Sequence, residues 1–133
     1  MDFEENAGLA RQTYEAWNRG DRETVFAALD PEIEFWQAPE LPGSGGLYRG
    51  RDGVARALDD LESTFEEFRL EPQEIRGEPD RLAIDVLITG RGRGSGAPFE
   101  VRATHAIWVR DRRAVRWEAH FEREAALRAL GLD

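Results

Sequence analysis

The chain has 133 residues, and this length favours a single domain spanning residues 1–133 with one hydrophobic core. It contains no cysteine and two histidines, which excludes a disulfide scaffold, a thiolate metal site and a cysteine nucleophile. Eighteen basic residues against 27 acidic ones give a net charge of −9, which disfavours nucleic acid and anionic membrane surfaces as partners.

The sequence shows neither a targeting signal nor a membrane segment. Its first residues are acidic and lack a long apolar run, unlike a secretory signal. No stretch reaches the roughly 18 consecutive apolar residues that a membrane span requires. A cytoplasmic location is therefore expected.

The start of the chain predicts two helices and a strand. Apolar residues recur at helical spacing between Phe3 and Trp17, and Gly20 ends this helix. A short second helix follows and ends at the Asp-Pro pair of residues 30–31. Residues 33–36 then alternate in the manner of a strand.

A third helix is predicted after a loop rich in Pro, Gly and Ser at residues 38–47. Asp52 caps this helix, and its apolar residues follow one another at steps of four, three, four and three, as on one face of a helix. This apolar stripe consists of Val54, Leu58, Leu61, Phe65 and Phe68.

The second half of the chain predicts four antiparallel strands and a short closing helix at residues 122–130. Helices gathered at the front and strands at the back are typical of an α+β fold, not of a parallel βαβ sheet. The strands are expected near residues 74–76, from residue 82 onward, at 101–109 and at 115–121.

Alternation along the last two strands predicts which side chains face the interior, because successive strand residues point to opposite faces. Within these rows His105 is the one titratable group, and burial is expected to lower its pKa and keep it neutral. Two interpretations stay open: a packed histidine bonded to a carbonyl or a Tyr hydroxyl, or a ligand-binding or catalytic group. The inner rows are Val101, Ala103, His105, Ile107 and Val109, then Val115, Trp117, Ala119 and Phe121.

Five short motifs follow one another along the chain at residues 14–21, 29–35, 48–54, 105–111 and 123–127. In this order they resemble the polyketide cyclase SnoaL-like branch of the nuclear transport factor 2-like superfamily. The resemblance implies a cone-shaped, cystatin-like α+β fold. In it, three N-terminal helices pack on a curved antiparallel sheet around an apolar pocket, with a short C-terminal helix. Relatives include isomerases, dehydratases, hydrolases, cyclases and binding proteins without catalysis, so the fold alone does not specify a reaction.

The catalytic groups of ketosteroid isomerase are not matched in this chain. That enzyme uses a carboxylate base, together with a Tyr and a protonated Asp that stabilise an oxyanion. Alignment on the motifs places Thr13, Phe35 and His105 at these three positions, so the same machinery is not expected. SnoaL-type cyclases are similar in placing a His and an Asp on the last strands; His105 could match that His, and no acid matches securely.

Aromatic side chains supply the candidate ligand site, although their spacing would also suit a plain hydrophobic core. Neither a metal nor a cofactor is expected, since only one histidine faces inward and a catalytic metal site requires about three protein ligands. The candidate ligand-binding residues are Tyr14, Trp17, Phe35, Tyr48, Trp117 and Phe121.

Two functions remain open at this point. The first is binding of a small hydrophobic molecule, either alone or as a cyclase, isomerase or hydrolase acting on a hydrophobic carbonyl compound. His105 would then act as acid or base, with Tyr14 or Tyr48 as hydrogen-bond donors. The second is a non-catalytic dimeric module with a vestigial pocket. A homodimer through the outer sheet face is expected because Trp108 would otherwise be exposed there.

Overall fold

In the part of the chain that the structure describes, three of the four helices lie against the inner face of a curved six-stranded sheet, and the fourth lies against the outer face. The computed structural model describes residues 2–39 and 46–133. The helices are α1 (Phe3–Asn18), α2 (Arg22–Ala27), α3 (Gly50–Thr64) and α4 (Arg123–Leu130). The strands are β1 (Leu29–Gln37), β2 (Gly46–Arg49), β3 (Phe65–Glu78), β4 (Arg81–Gly92), β5 (Pro98–Arg110) and β6 (Arg113–His120).

The starts of α1 and α2 follow from capping groups in the sequence. The Asp2 carboxylate accepts a hydrogen bond from the Glu5 backbone N–H at 2.8 Å, and Asp21 does the same for Thr24 at 3.1 Å. By contrast, α3 begins at Gly50 without a side-chain cap, so the predicted cap at Asp52 was wrong. The turn after α1 contains Gly20, whose φ of +77° lies in the left-handed region that favours glycine. The α+β class and the presence of two opening helices are therefore as predicted, but α2 ends at Ala27, and the Asp-Pro pair of residues 30–31 lies in β1. Helix α3 follows β1 and β2, so the three inner helices are not consecutive.

The sheet has the strand order β2-β1-β6-β5-β4-β3. The expectation of a purely antiparallel sheet was wrong. Every neighbouring pair is antiparallel except β1 and β6, which are parallel. Short turns join β3, β4, β5 and β6 in succession and impose antiparallel pairing. By contrast, β1 and β6 are far apart in sequence, and no turn dictates their relative direction. Part of the expected loop at residues 38–47 is strand β2, and residues 40–45 of that loop lie outside the described residues.

The predicted third helix was too long at its C-terminal end. It stops at Thr64, and Phe65 and Phe68 belong to the long strand β3, which also contains the strand predicted near residues 74–76. The pairing of β3 with β4 shifts between Glu66 and Arg69, and Glu67 has a φ of +55°. This irregularity lets Phe65 and Phe68 pack against each other, although residues three apart on a regular strand face opposite ways.

A second irregularity changes the inner row of β6. The register of β5 and β6 shifts between Trp108 and Val109, so that Val109 pairs with Ala114. Ala114, and not Val115 as predicted, packs against the core. The extra residue of a bulge changes which side chains face inward on one side of it.

Helix α4 covers the part of the outer face on which the dimer had been predicted. Trp108 packs in one cluster with Leu127 and Leu130, and the Arg81 guanidinium donates to the Leu130 carbonyl at 2.7 Å. The alanines at 83 and 106 are buried beneath the helix, because small side chains let it approach the sheet closely. Trp108 therefore packs against a helix of its own chain, and its burial does not require a homodimer.

We expect Trp17→Ala to lower the free energy of unfolding by about 3 kcal/mol. The Trp17 ring is half-buried and packs against three separate clusters of core residues, so its removal leaves a cavity where they meet. Urea unfolding followed by circular dichroism measures the change. Gln12→Ala, at an exposed position of the same helix, is the control and is expected to change stability by less than about 0.5 kcal/mol. Equal effects of the two substitutions would contradict this placement of Trp17.

Candidate functional site

A tyrosine from α1 and a histidine from β5 meet in the interior. Tyr14 Oη and His105 Nδ1 are 2.6 Å apart, and the two rings stack with centroids 5.8 Å apart. Tyr14 is 4% exposed and His105 is 3% exposed. His105 therefore occupies the inner position that alternation predicted. Its contact is with a Tyr hydroxyl, as in the first of the two interpretations.

Both members of this pair are uncharged at neutral pH. Burial, and to a lesser degree the charge of His120, lowers the pKa of His105 from 6.5 to about 3. Burial also raises the pKa of Tyr14 well above its ordinary value. One hydrogen lies between the two atoms, so Nδ1 either accepts from the hydroxyl or donates to it. The pair can orient a hydrogen bond, but a histidine with so low a pKa is a weak base.

The first of two cavities beside this pair, the inner cavity, lies between α1, α3 and the sheet. It measures about 20 Å³, which is room for about one water molecule. Its polar groups belong to Gln37, His105 and Trp117, and its lining contains no carboxylate among the described residues. The other lining residues are Trp17, Phe35, Leu61, Phe68, Leu70, Ile88, Ala103, Ala119 and Phe121.

The second cavity, the end cavity, lies between the first half of α1 and the ends of the central strands. It measures about 60 Å³ and is mainly apolar, with Asn6 and Arg112 among its polar lining residues. Tyr14 lines this cavity, whereas His105 lines the inner one, and Trp17 and Trp117 line both. The Tyr14–His105 pair and the two tryptophans therefore stand between the two cavities.

Most of the sequence-predicted site residues come together around these cavities. The Trp117 ring lies 4.5 Å from Phe35, 5.4 Å from His105 and 5.8 Å from Trp17, measured between ring centroids. Phe121 lines the inner cavity. Tyr48 lines neither cavity and instead stacks on Phe35 at 6.0 Å, because β2 is the edge strand beyond β1.

Sequence reasoning missed Gln37. It shares the inner face of β1 with Ile33 and Phe35, so extending the alternation by two residues would have found it. It is 5% exposed, and its Oε1 has no hydrogen-bond partner within the described part of the chain. The same holds for Trp117 Nε1, in a side chain that is also 5% exposed.

Two features are absent from residues 2–39 and 46–133. Within these ranges no group of three or more His, Asp or Glu side chains is arranged to hold a metal ion. Within the same ranges, no helix combines the length and the apolar character needed to cross a membrane.

Comparisons with known proteins agree with the fold. The sequence matches the model of the SnoaL-like domain over residues 10–117. A nuclear transport factor 2-like protein of unknown function from Burkholderia pseudomallei is 26% identical, with a TM-score of 0.81 over 94% of this chain and 96% of that chain. A similar protein from Burkholderia xenovorans is 25% identical, with a TM-score of 0.76 over 96% of each chain. TerC, crystallised with polyporic acid, is 22% identical, with a TM-score of 0.80 over 94% and 96%, a likeness that shows the fold alone. A search of curated proteins gives no significant match.

We expect the neutral state of His105 to make stability depend on pH. Because burial lowers its pKa to about 3, the unfolded chain binds a proton more readily than the folded chain between about pH 3 and 6.5. This contribution is fully present above pH 6.5, and it is lost by about 1.4 kcal/mol per pH unit as the pH falls. Urea unfolding between pH 5 and 7 measures the slope. The carboxyl groups contribute the same pH dependence to the native protein and to the His105→Gln variant, so the variant is the control. An identical slope in the two proteins would contradict the assignment to His105.

Proposed function

Since the chain belongs to the SnoaL-like domain family, we propose that it binds a small, uncharged, hydrophobic molecule between α1 and the inner face of the sheet. The observation that carries this proposal is the buried, neutral Tyr14–His105 pair set among aromatic rings. At the inner cavity, whose described lining residues carry no charged side chain, an ion would lose its hydration without a charged partner, whereas an uncharged molecule gains from apolar burial. TerC, whose crystals contain polyporic acid, shows that a protein of this fold can be crystallised with an organic molecule.

In this proposal His105 serves as a hydrogen-bonding group and not as the catalytic base. A general base works best with a pKa near the working pH, and burial holds the pKa of His105 near 3. The inner cavity also lacks a carboxylate among its described lining residues. Binding is therefore favoured over the cyclase, isomerase or hydrolase chemistry that the family resemblance allowed.

Binding requires the aromatic rings to move. The inner and end cavities, at about 20 and 60 Å³, each hold only a few atoms. Trp17 and Trp117 line both cavities, and Trp17 is half-buried, so rotation of its ring would join the two spaces. Trp17, Phe35, Trp117 and Phe121 would then contact the ligand. Tyr48 would not contact the ligand, and it would influence binding only by holding the Phe35 ring in place.

The experiment extracts and identifies small molecules that accompany the purified protein. We expect mass spectrometry of the denatured sample to find an uncharged organic compound. Ala10→Phe places a ring in the end cavity and is expected to reduce the recovered amount at least tenfold, since Ala10 lines that cavity. Gln12→Phe adds the same ring at an exposed position of α1 and is expected to retain the compound. A charged compound, or equal recovery from both variants, would contradict the proposal, and recovery of none from the native protein would favour a vestigial pocket.

A homodimer remains a prediction, now through the outer face of β1 and β6. Trp36 lies there against His120, with ring centroids 4.9 Å apart, and Leu47 on the neighbouring edge strand is 43% exposed. Sedimentation at micromolar concentration is expected to give about twice the chain mass of 15.1 kDa. Trp36→Glu is expected to shift the protein toward the monomer, because it places a charge in the contact. A native protein that sediments as a monomer would rule out this assembly.

A further inference from the structure

Two side chains that line the inner cavity carry an acceptor and a donor that lack partners among the described residues. Gln37 Oε1 can accept a hydrogen bond, and Trp117 Nε1–H can donate one. Both side chains are more than nine-tenths buried, and both line the cavity. Buried polar atoms are almost always paired, so two unpaired atoms at one cavity point to a group that pairs with both.

The strand register explains why a gap exists between Gln37 and His105, next to Trp117. Gln37 is paired with Ala119 on β6, and Ala119 is paired with His105 on β5, so one row crosses three strands. Neighbouring strands are about 4.8 Å apart, which separates Gln37 from His105 by about 10 Å at the backbone. Between them Ala119 contributes only a methyl group. Trp117 lies two residues earlier on the same face and bounds the gap along the strand.

From this arrangement we infer that the gap over Ala119 binds one hydroxyl oxygen, so that the ligand is an alcohol or a phenol and not a ketone or an ether. A hydroxyl group donates to Gln37 Oε1 and accepts from Trp117 Nε1–H at the same time. A carbonyl or ether oxygen accepts only, and it leaves Gln37 Oε1 buried without a donor. The inference rests on the proposed function, because it names the chemical class of the ligand for that site.

The test compares cyclohexanol with cyclohexanone, which share a ring size and differ in whether their oxygen carries a hydrogen. Each is titrated into the full-length protein while tryptophan fluorescence is recorded, since Trp17 and Trp117 line the site. The native protein is expected to bind the alcohol about tenfold more tightly than the ketone, because a tenfold ratio of affinities corresponds to roughly one additional hydrogen bond.

Gln37→Met removes the acceptor while keeping a side chain of similar length. The preference for the alcohol is expected to disappear, and the affinity for the ketone is expected to stay unchanged. Gln12→Met, at an exposed position of α1, is the matched control and should keep the preference. Circular dichroism checks that each variant is folded. Should Gln37→Met not fold, Trp117→Phe tests the other partner, and both probes are then expected to lose affinity.

Ala119→Val fills the gap itself, and valine suits a strand position. Loss of the alcohol preference in this variant is expected, because the oxygen no longer fits between Gln37 and Trp117. Equal binding of both probes to the native protein, or an unchanged preference in Gln37→Met, would overturn the hydroxyl site and leave the proposed function standing. Failure of both probes to bind the native protein would overturn both proposals.

Discussion

The hydrogen bond between Tyr14 Oη and His105 Nδ1 joins the first helix to the middle of the sheet, and the character of the interior depends on it. Each group is buried among apolar and aromatic side chains, where a polar atom without a partner would be costly. Tyr14 Oη and His105 Nδ1 each satisfy the other, so neither of these two atoms needs a water molecule as its partner. The pair thus places a polar contact inside a mainly apolar core.

Aromatic packing around this pair determines how much space is left. Trp17, Phe35 and Trp117 fill most of the volume between α1 and the sheet, and they leave two small cavities in place of one large pocket. Rings of this size interdigitate at fixed distances, and small shifts open or close the gaps between them. The interior therefore combines a packed aromatic core with two small cavities, and the ring of Trp17 lines both.

The two faces of the sheet are used differently because of side-chain size. Large inner residues hold the helices α1 and α3 away from the sheet around the cavities. On the outer face, Ala83 and Ala106 let α4 lie close and bury Trp108. An ion pair at 2.8 Å between Arg123 and Asp85 adds to the docking of α4. The same sheet therefore borders two cavities on one side and supports a closed layer on the other.

By itself the sequence determined the α+β class, the extent of α1, the start of α2, the extent of α4 to within one residue, and the inward direction of His105, Trp117 and Phe35. These features depend on local capping and on alternation, which act over a few residues. Family motifs added the expectation of a curved sheet with helices packed against it, which the structure shows. Tertiary structure alone decided the parallel pairing of β1 with β6, the transfer of Phe65 and Phe68 from helix to strand, and the exchange of Val115 for Ala114 in the inner row. Pairing partners and bulges depend on contacts between residues far apart in the chain, which no local period records. The burial of Trp108 under α4 and the meeting of Gln37, Trp117 and His105 around Ala119 have the same origin, because each requires elements that only the folded chain brings together.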